Sequence, residues 1–284
     1  MKSSNSKWGS MAMLIVILAA LLLLSACGAP KTVPDKTIEW AVEDFMKSTF
    51  EPLGLNPGCT YSVAHTADSA TKSDTIHIDL ALDDTHFNGT SSYDATYVYD
   101  KSSGLWSVAR GGEWSGVTID QYKNVDLKKD TVIGAFEKNG FVIERESIIE
   151  GTQEDMSPDY LPEGVICNSA WTYIPSSDDL ILVQLLLEGE NAGAKTYDAI
   201  REELKGLFQD EIAYGSEIEE NQVKGNNYEI TIMHAIQDGM VINARYGYVE
   251  NDIIVFAMFK ELETIANSDK WMNKTMADLG LPLL

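Results

Sequence analysis

"YEITIMHAIQDGMVINARYGYVENDIIVFAMF", residues 228–259, decides how this chain is read. Its first β-rich run ends at Gln237-Asp238-Gly239, and an Asp-Gly pair between such runs is among the strongest local hairpin signals. A second run, "MVINARYGYV", turns at Glu250-Asn251-Asp252 into a third, "IIVFAMF". Turns this short join antiparallel neighbours, because parallel strands need a crossover of a dozen or more residues. The stretch therefore predicts a three-stranded meander, with His234 inside it as a hydrogen-bonded sheet histidine.

Upstream, "ILVQLLLE" from Ile181 to Glu188 is nearly continuous in apolar residues, the pattern of a central strand. "SAWTYI" precedes it across Pro175–Asp179, which makes another hairpin. Between these strands and the meander, Tyr197, Ile200, Leu204, Leu207 and Phe208 form one stripe of a helix over about 194–209. Val132, Ile133 and Phe136 suggest a short helix stopped by Asn139-Gly140, followed by "FVIERESIIE" as a strand and a long loop over 151–164. A last helix over about 260–279 carries Leu262, Ile265, Trp271 and Met272. Residues 125–284 are thus expected to be an α+β sandwich with helices mainly on one face of an antiparallel sheet. Strands and helices do not alternate regularly, which argues against a doubly wound parallel sheet.

Residues 37–124 form a second α+β module. Ile38, Ala41, Val42, Phe45 and Met46 recur at helical spacing, with Asp35 or Thr37 as N-cap, and Pro52, Gly54, Pro57 and Gly58 break the chain after Phe50. Cys59–Ala64 is β-like. Thr75–Leu82 alternates, placing Ile76, Ile78, Leu80 and Leu82 on one side and His77 and Asp79 on the other. "YDATYVYD" and "LWSVARGGEW", joined by "DKSSG", make a hairpin. A helix followed by about four antiparallel strands resembles the cystatin-like and NTF2-like domains of exported bacterial proteins. That resemblance implies a curved sheet wrapped on a helix, and it carries no catalytic residue onto this chain.

The N-terminus is read by counting. Lys2 and Lys7 precede an uninterrupted apolar run from Met11 to Leu24, 14 residues long. A membrane-spanning helix needs roughly 20, whereas the apolar core of a secretory signal takes about 7 to 15. Leu24-Ser25-Ala26-Cys27 resembles the lipobox of bacterial lipoproteins. In that family the cysteine thiol receives a diacylglyceryl group and a peptidase cuts before it. The resemblance implies a signal peptide over 1–26, a lipid on Cys27 and a location on the outer face of the cell membrane, with palmitate among the acyl chains. Gly28–Asp35 contains Pro30 and Pro34 and little that can pack, so residues 27–36 are expected to be a tether.

Removing residues 1–26 takes away two lysines and no acid, so the net charge of −23 becomes −25. An acidic surface of that size argues against nucleic acid as a partner, because phosphate binding needs clustered Lys and Arg. It also argues against adhesion of the protein itself to anionic headgroups. Cys59 and Cys167 stand 108 positions apart with no framework spacing, so two free buried thiols are expected rather than a disulfide.

The chain has four histidines, and His65, His77 and His86 fall within one stretch beside Asp79, Asp83 and Asp84. Imidazole beside carboxylate is the donor set of zinc-like ions, which makes His77, Asp83, Asp84 and His86 the metal-ligand candidates. Their spacing matches no metal motif, and no resident metal or cofactor is expected. The five acids of "GLFQDEIAYGSEIEENQVKGN" lack the alternating oxygen pattern of a Ca²⁺ loop and read as a solvated connection. Gly111-Gly112-Glu113-Trp114-Ser115-Gly116 lacks the lysine of a phosphate loop and reads as a β-bulge or turn beside a packed tryptophan. No G-x-S-x-G elbow occurs. Trp171, Tyr173, Tyr246 and Tyr248 are the candidates for an exposed aromatic binding face, with core packing as the alternative.

These observations lead to the expectation of a membrane-anchored, non-enzymatic binding module whose partner is an envelope protein, a wall component or a small ligand. The alternatives are a solute-binding component of an uptake system, and an envelope enzyme using carboxylates or the His65/His77/His86 region.

Overall fold

The computed structural model describes residues 32–152, 154, 160–175, 179–211, 218–237, 240–261 and 264–283. It is a mixed α+β structure with two antiparallel sheets. In chain order the elements are α1 (Asp35–Phe50), β1 (Gly58–Asp68), β2 (Ser73–Asp83), β3 (Phe87–Asp100), β4 (Leu105–Trp114) and β5 (Thr118–Tyr122). Then follow α2 (Lys129–Lys138), β6 (Ile148–Gly151), β7 (Ile166–Tyr173), β8 (Leu180–Glu188) and α3 (Ala192–Glu211). The chain continues through β9 (Ile218–Lys224), β10 (Tyr228–Gln237), β11 (Met240–Val249), β12 (Asp252–Glu261) and α4 (Ile265–Asp278).

Two compact units are interleaved along the chain, and their boundaries cut through α1, β1, β2 and β3. The first comprises the described residues up to Lys47, Tyr61–Leu80 and Ser91–Ser115. Its core is Ile38 of α1 against Ile76, Ile78, Tyr93, Ala95 and Tyr97, with Val33 buried in the same cluster. The strict alternation of β2 explains this, since period-2 side chains put one row inward and leave Thr75 and Asp79 in water. Phe45 stacks on Trp114 at 4.3 Å between ring centroids. The β3–β4 register slips between Asp94 and Ala95, where a Cβ on Gly111 would stand 2.4 Å from the Asp94 carbonyl, so the Gly-Gly stretch is the bulge expected. Val33 is 1% exposed and the first helix begins at Asp35, so part of the stretch read as a tether over 27–36 packs with this unit.

The second unit takes in Ser48–Thr60, Ala81–Thr90 and the chain from Gly116 onward. Its seven-stranded sheet has the order β6-β7-β8-β12-β11-β10-β9. Register separates the two faces. Tyr246 lies across from Val255, which lies across from Val183, so these three share one face. Arg245, Phe256 and Leu182 share the other. On the first face Tyr197, Ile200 and Leu204 of α3 join the core with Met233, Ala244 and Val255. On the second, α4 holds Arg245 and His234 through Asp269, and Phe136 of α2 meets Phe256 edge-on at 5.5 Å. Helices therefore lie on both faces, where the sequence suggested mainly one. A sheet with apolar residues in both rows has two faces to cover.

Three other expectations are corrected. "FVIERESIIE" is a strand only over Ile148–Gly151, and Val142 is 86% exposed. The acid-rich connection after α3 contains the edge strand β9, which the period-2 pattern could not reveal because most of its side chains stand in water. The last helix starts at Ile265, with Thr264 as N-cap accepting from Asn267 N–H, because β12 runs on to Glu261. The tail of the α3 stripe at Leu207 and Phe208, and Leu262, lie outside the described side chains.

Candidate ligand-binding cleft

Helix α3 starts where the chain leaves β8 through Gly189, at φ +140°, and Asn191, at φ +53°. Gly193 in its first turn allows a close approach, for a Cβ there would stand 2.6 Å from the Glu250 carbonyl. This seats α3 across β8, β12 and β11 and leaves β10 and β9 beyond its flank. Between that flank and the two outer strands lies a cleft of about 290 Å³.

The cleft is polar and built from four elements. Tyr197, Arg201 and Lys205 stand four residues apart along α3, so they rise in one row beside its buried stripe. Thr231 of β10 and Tyr246 of β11 form the floor, and Glu220, Asn221 and Gln222 of β9 form the far wall. Tyr197 Oη and Thr231 Oγ1 are 3.0 Å apart, and the Tyr197 and Tyr248 rings stand 5.9 Å apart. Lys205 Nζ donates to Glu220 Oε2 at 3.1 Å, joining helix to edge strand. Arg201 Nε lies 3.7 Å from Glu202 Oε1. Glu229, 6% exposed, accepts from Gln222 Nε2 at 2.7 Å and from Lys224 Nζ at 2.5 Å, which fixes β9 against β10.

Burial pushes the phenols of Tyr197, Tyr246 and Tyr248 up, so they stay neutral hydroxyls at physiological pH. The cleft thus offers neutral phenols at its base and side-chain amides on one wall. Two cations and two carboxylates line its rim. That arrangement suits a small polar ligand carrying both signs of charge.

The residues singled out in the sequence are distributed otherwise. Tyr246 lies on the cleft floor, although it is only 2% exposed, whereas Tyr248 is outside the lining and touches it through the Tyr197 ring. Trp171 and Tyr173 are 2% and 1% exposed and stand on the opposite sheet face, since Thr172 is the residue in register with Val183. They are core residues rather than a surface. Trp171 Nε1 donates to Gln184 Oε1 at 2.6 Å, and Tyr173 Oη accepts from Glu144 N–H at 3.2 Å.

The metal-ligand candidates have separate partners. The His77 ring nitrogens lie 2.8 Å from Asp94 Oδ1 and 3.0 Å from Asp79 Oδ1, and the Asp94 carboxylate, then Asp79, pushes the imidazole pKa up. Asp83 accepts from Lys123 Nζ at 2.5 Å. Asp84 Oδ1 accepts from His86 N–H at 3.0 Å, and His86 Nδ1 lies 3.2 Å from the Asn124 carbonyl. His65 Nδ1 is 2.7 Å from the buried Asp74. Among the described residues no three His, Cys, Asp or Glu side chains gather as a cation site. Cys59 and Cys167 are both free thiols; Cys59 is exposed rather than buried, while burial pushes the Cys167 thiol up. Cys27 lies outside the described residues.

A second polar cluster also escaped sequence reading. Asp269 Oδ1 accepts from His234 Nε2 at 2.6 Å, Arg245 Nη2 at 2.7 Å and Asn243 Nδ2 at 3.2 Å. Arg245 is 1% exposed, and its Nη1 also donates to Asn243 Oδ1. The Tyr197–Arg201–Lys205 spacing was the one available signal for the cleft. Nothing in the sequence pairs Arg245 with Asp269. No protein-family model matches the chain, and comparison with curated proteins gives no match.

Proposed function

We propose that this protein is a lipid-anchored, non-enzymatic binding module, held by Cys27 on the outer face of the cell membrane, whose ligand enters the cleft between α3 and β9. The observation that carries the binding role is the cleft itself: neutral phenols at the base and mixed charge at the rim, provided by α3 and strands β9, β10 and β11. The Leu24-Ser25-Ala26-Cys27 motif after a 14-residue apolar run carries the location. A short peptide with free termini, the chemistry of a wall stem peptide, matches the rim. Arg201 and Lys205 would take its carboxylates, and Glu202 and Glu220 its amine. Two antiparallel sheets support this reading over an uptake component built from two α/β lobes. A helix laid on an antiparallel sheet supports the cystatin-like or NTF2-like resemblance of residues 37–124.

Two measurements test the proposal. Radiolabelled palmitate should enter the full chain and be lost in Cys27→Ser; label retained in that variant would refute the anchor. Calorimetric titration with tri- and tetrapeptides carrying free termini should show saturable binding that Arg201→Ala and Tyr197→Phe weaken. Equal binding by those variants, or none by the parent chain, would refute the cleft.

A further inference from the structure

The position of Val33 determines which surface an anchor on Cys27 would bring to the membrane. Its N–H donates to Asp74 Oδ2 at 2.8 Å, and Asp74 is 0% exposed. His65 Nδ1 lies 2.7 Å from that same carboxylate oxygen. The chain is therefore pinned at residue 33. Only Gly28–Thr32 separate it from Cys27, a reach of at most about 20 Å even when fully extended.

Several exposed side chains lie near that point within the first unit. Lys72 precedes Asp74 by two residues, about 7 Å along a strand. Tyr99 N–H donates to the Lys72 carbonyl at 3.0 Å, so the β1–β2 and β3–β4 turns are side by side. Asp100 pairs with Leu105 across the second turn. Helix α1 also starts here, two residues after Val33, and Trp40 stands about 8 Å further along its axis.

We infer that this end of the first unit, carrying the β1–β2 and β3–β4 turns and the start of α1, rests against the bilayer, with Leu105 and Trp40 at the lipid–water boundary. The inference rests on the lipid-anchor reading and adds to it the surface that meets the lipid. Leu105 is 65% exposed, Trp40 59% and Val98 36%, large apolar groups that have no core to join. Lys36 Nζ lies 5.3 Å from the centre of the Trp40 ring, the pairing of cation and aromatic that suits a headgroup layer. Lys72 and Lys101 are exposed at the two turns.

The acids at this end are the exposed Asp35, Glu39, Asp68 and Asp100, and Asp74, buried against Val33 N–H and His65. Two of them serve their own turns. Asp68 accepts from Ala70 N–H and Thr71 Oγ1, and Asp100 from Ser102 N–H, Ser102 Oγ and Ser103 Oγ. With Lys36, Lys72 and Lys101 set against four exposed acids, this end carries little of the chain's net charge of −23, so anionic headgroups repel it weakly.

Lysine acylation of the lipidated full chain tests the inference, in phosphatidylethanolamine/phosphatidylglycerol vesicles and in detergent. Mass spectrometry reads each site relative to Lys47, which is exposed near the far end of α1. Lys72 and Lys101 should be acylated severalfold more slowly in vesicles. Inserting about twenty Gly/Ser residues after Gly28 should restore their rates, because the added chain frees the domain from the surface. Unchanged rates at Lys72 and Lys101 in a chain shown to be lipidated and vesicle-bound would overturn this surface and leave the anchor standing. A chain recovered without lipid on Cys27 would overturn both.

Discussion

In the five-stranded sheet, β2 buries Ile76, Ile78, Leu80 and Leu82 and turns Thr75, Asp79 and Asp83 to water. In the seven-stranded sheet, β12 buries every residue from Ile253 to Met258, so both rows of its side chains are covered. The difference shows in how each sheet treats charge. On the open face His77 and its two carboxylates stand in water, where an ion pair contributes little and its loss is repaired by solvent. On the covered face Arg245 is 1% exposed, and Asp269, with Asn243, must satisfy it. Even so, Arg245 Nε and Gln184 Nε2 find no partner among the described residues. A covered sheet admits polar groups only as networks, because an unpaired buried charge has no water to turn to.

The largest test of that contrast is Asp269→Ala, which strands the Arg245 guanidinium and should cost about 3–5 kcal/mol in urea unfolding. Asp94→Ala, the matching removal beside His77, should leave the unfolding midpoint where it is. Equal effects from the two would remove the distinction between the sheets.

Asp252, at the start of β12, gives a pH-dependent version of the same test. Burial, and then Glu250 and Asp126, pushes its carboxyl up to about 7 from an ordinary 3.8. A raised folded pKa means that its stabilising contribution is full below 3.8 and is lost as pH rises through about 7. Thermal midpoints should therefore rise between pH 8 and pH 5. Asp252→Asn should remove most of that slope and stabilise the protein at pH 8 by about 2–4 kcal/mol.

Smaller still is Tyr197→Phe, which deletes the hydroxyl beside Thr231 and should cost about 1 kcal/mol in the same unfolding assay. Smallest is His77. Its pKa is raised by Asp94 and Asp79, so its contribution is present below the ordinary 6.5 and fades as pH rises through the elevated value. Proton NMR titration of the ring should show the upward shift, and Asp94→Asn should reduce it.

Legibility followed periodicity. The row Ile76–Ile78–Leu80–Leu82 and the hairpin in which Gln237 pairs with Met240 are legible locally, because alternation and turn chemistry need no distant partner. Strand β9 has no such pattern; it is a strand because β10 offers it an edge, with Glu229 in register with Lys224. The cleft was half legible. Tyr246 and Tyr248 stood out as aromatics in a strand, but the i, i+4, i+8 row of Tyr197, Arg201 and Lys205 acquires meaning only beside Glu220 and Thr231. Trp171 and Tyr173 looked equally available until register assigned them to the other face.

By itself the sequence determined the α+β class, the hairpins and the meander, since each is encoded in residues a few positions apart. It also determined the 14-residue apolar run from Met11 to Leu24 and the chain length between Cys27 and Val33. Only the tertiary structure decided that helices cover both faces of the larger sheet, that Asp269 satisfies Arg245 from 24 residues away, and that α3 leaves a cleft over β9 and β10. Those contacts join residues remote in sequence, and a chain read in order carries no measure of which of its many acids and bases will meet once folded.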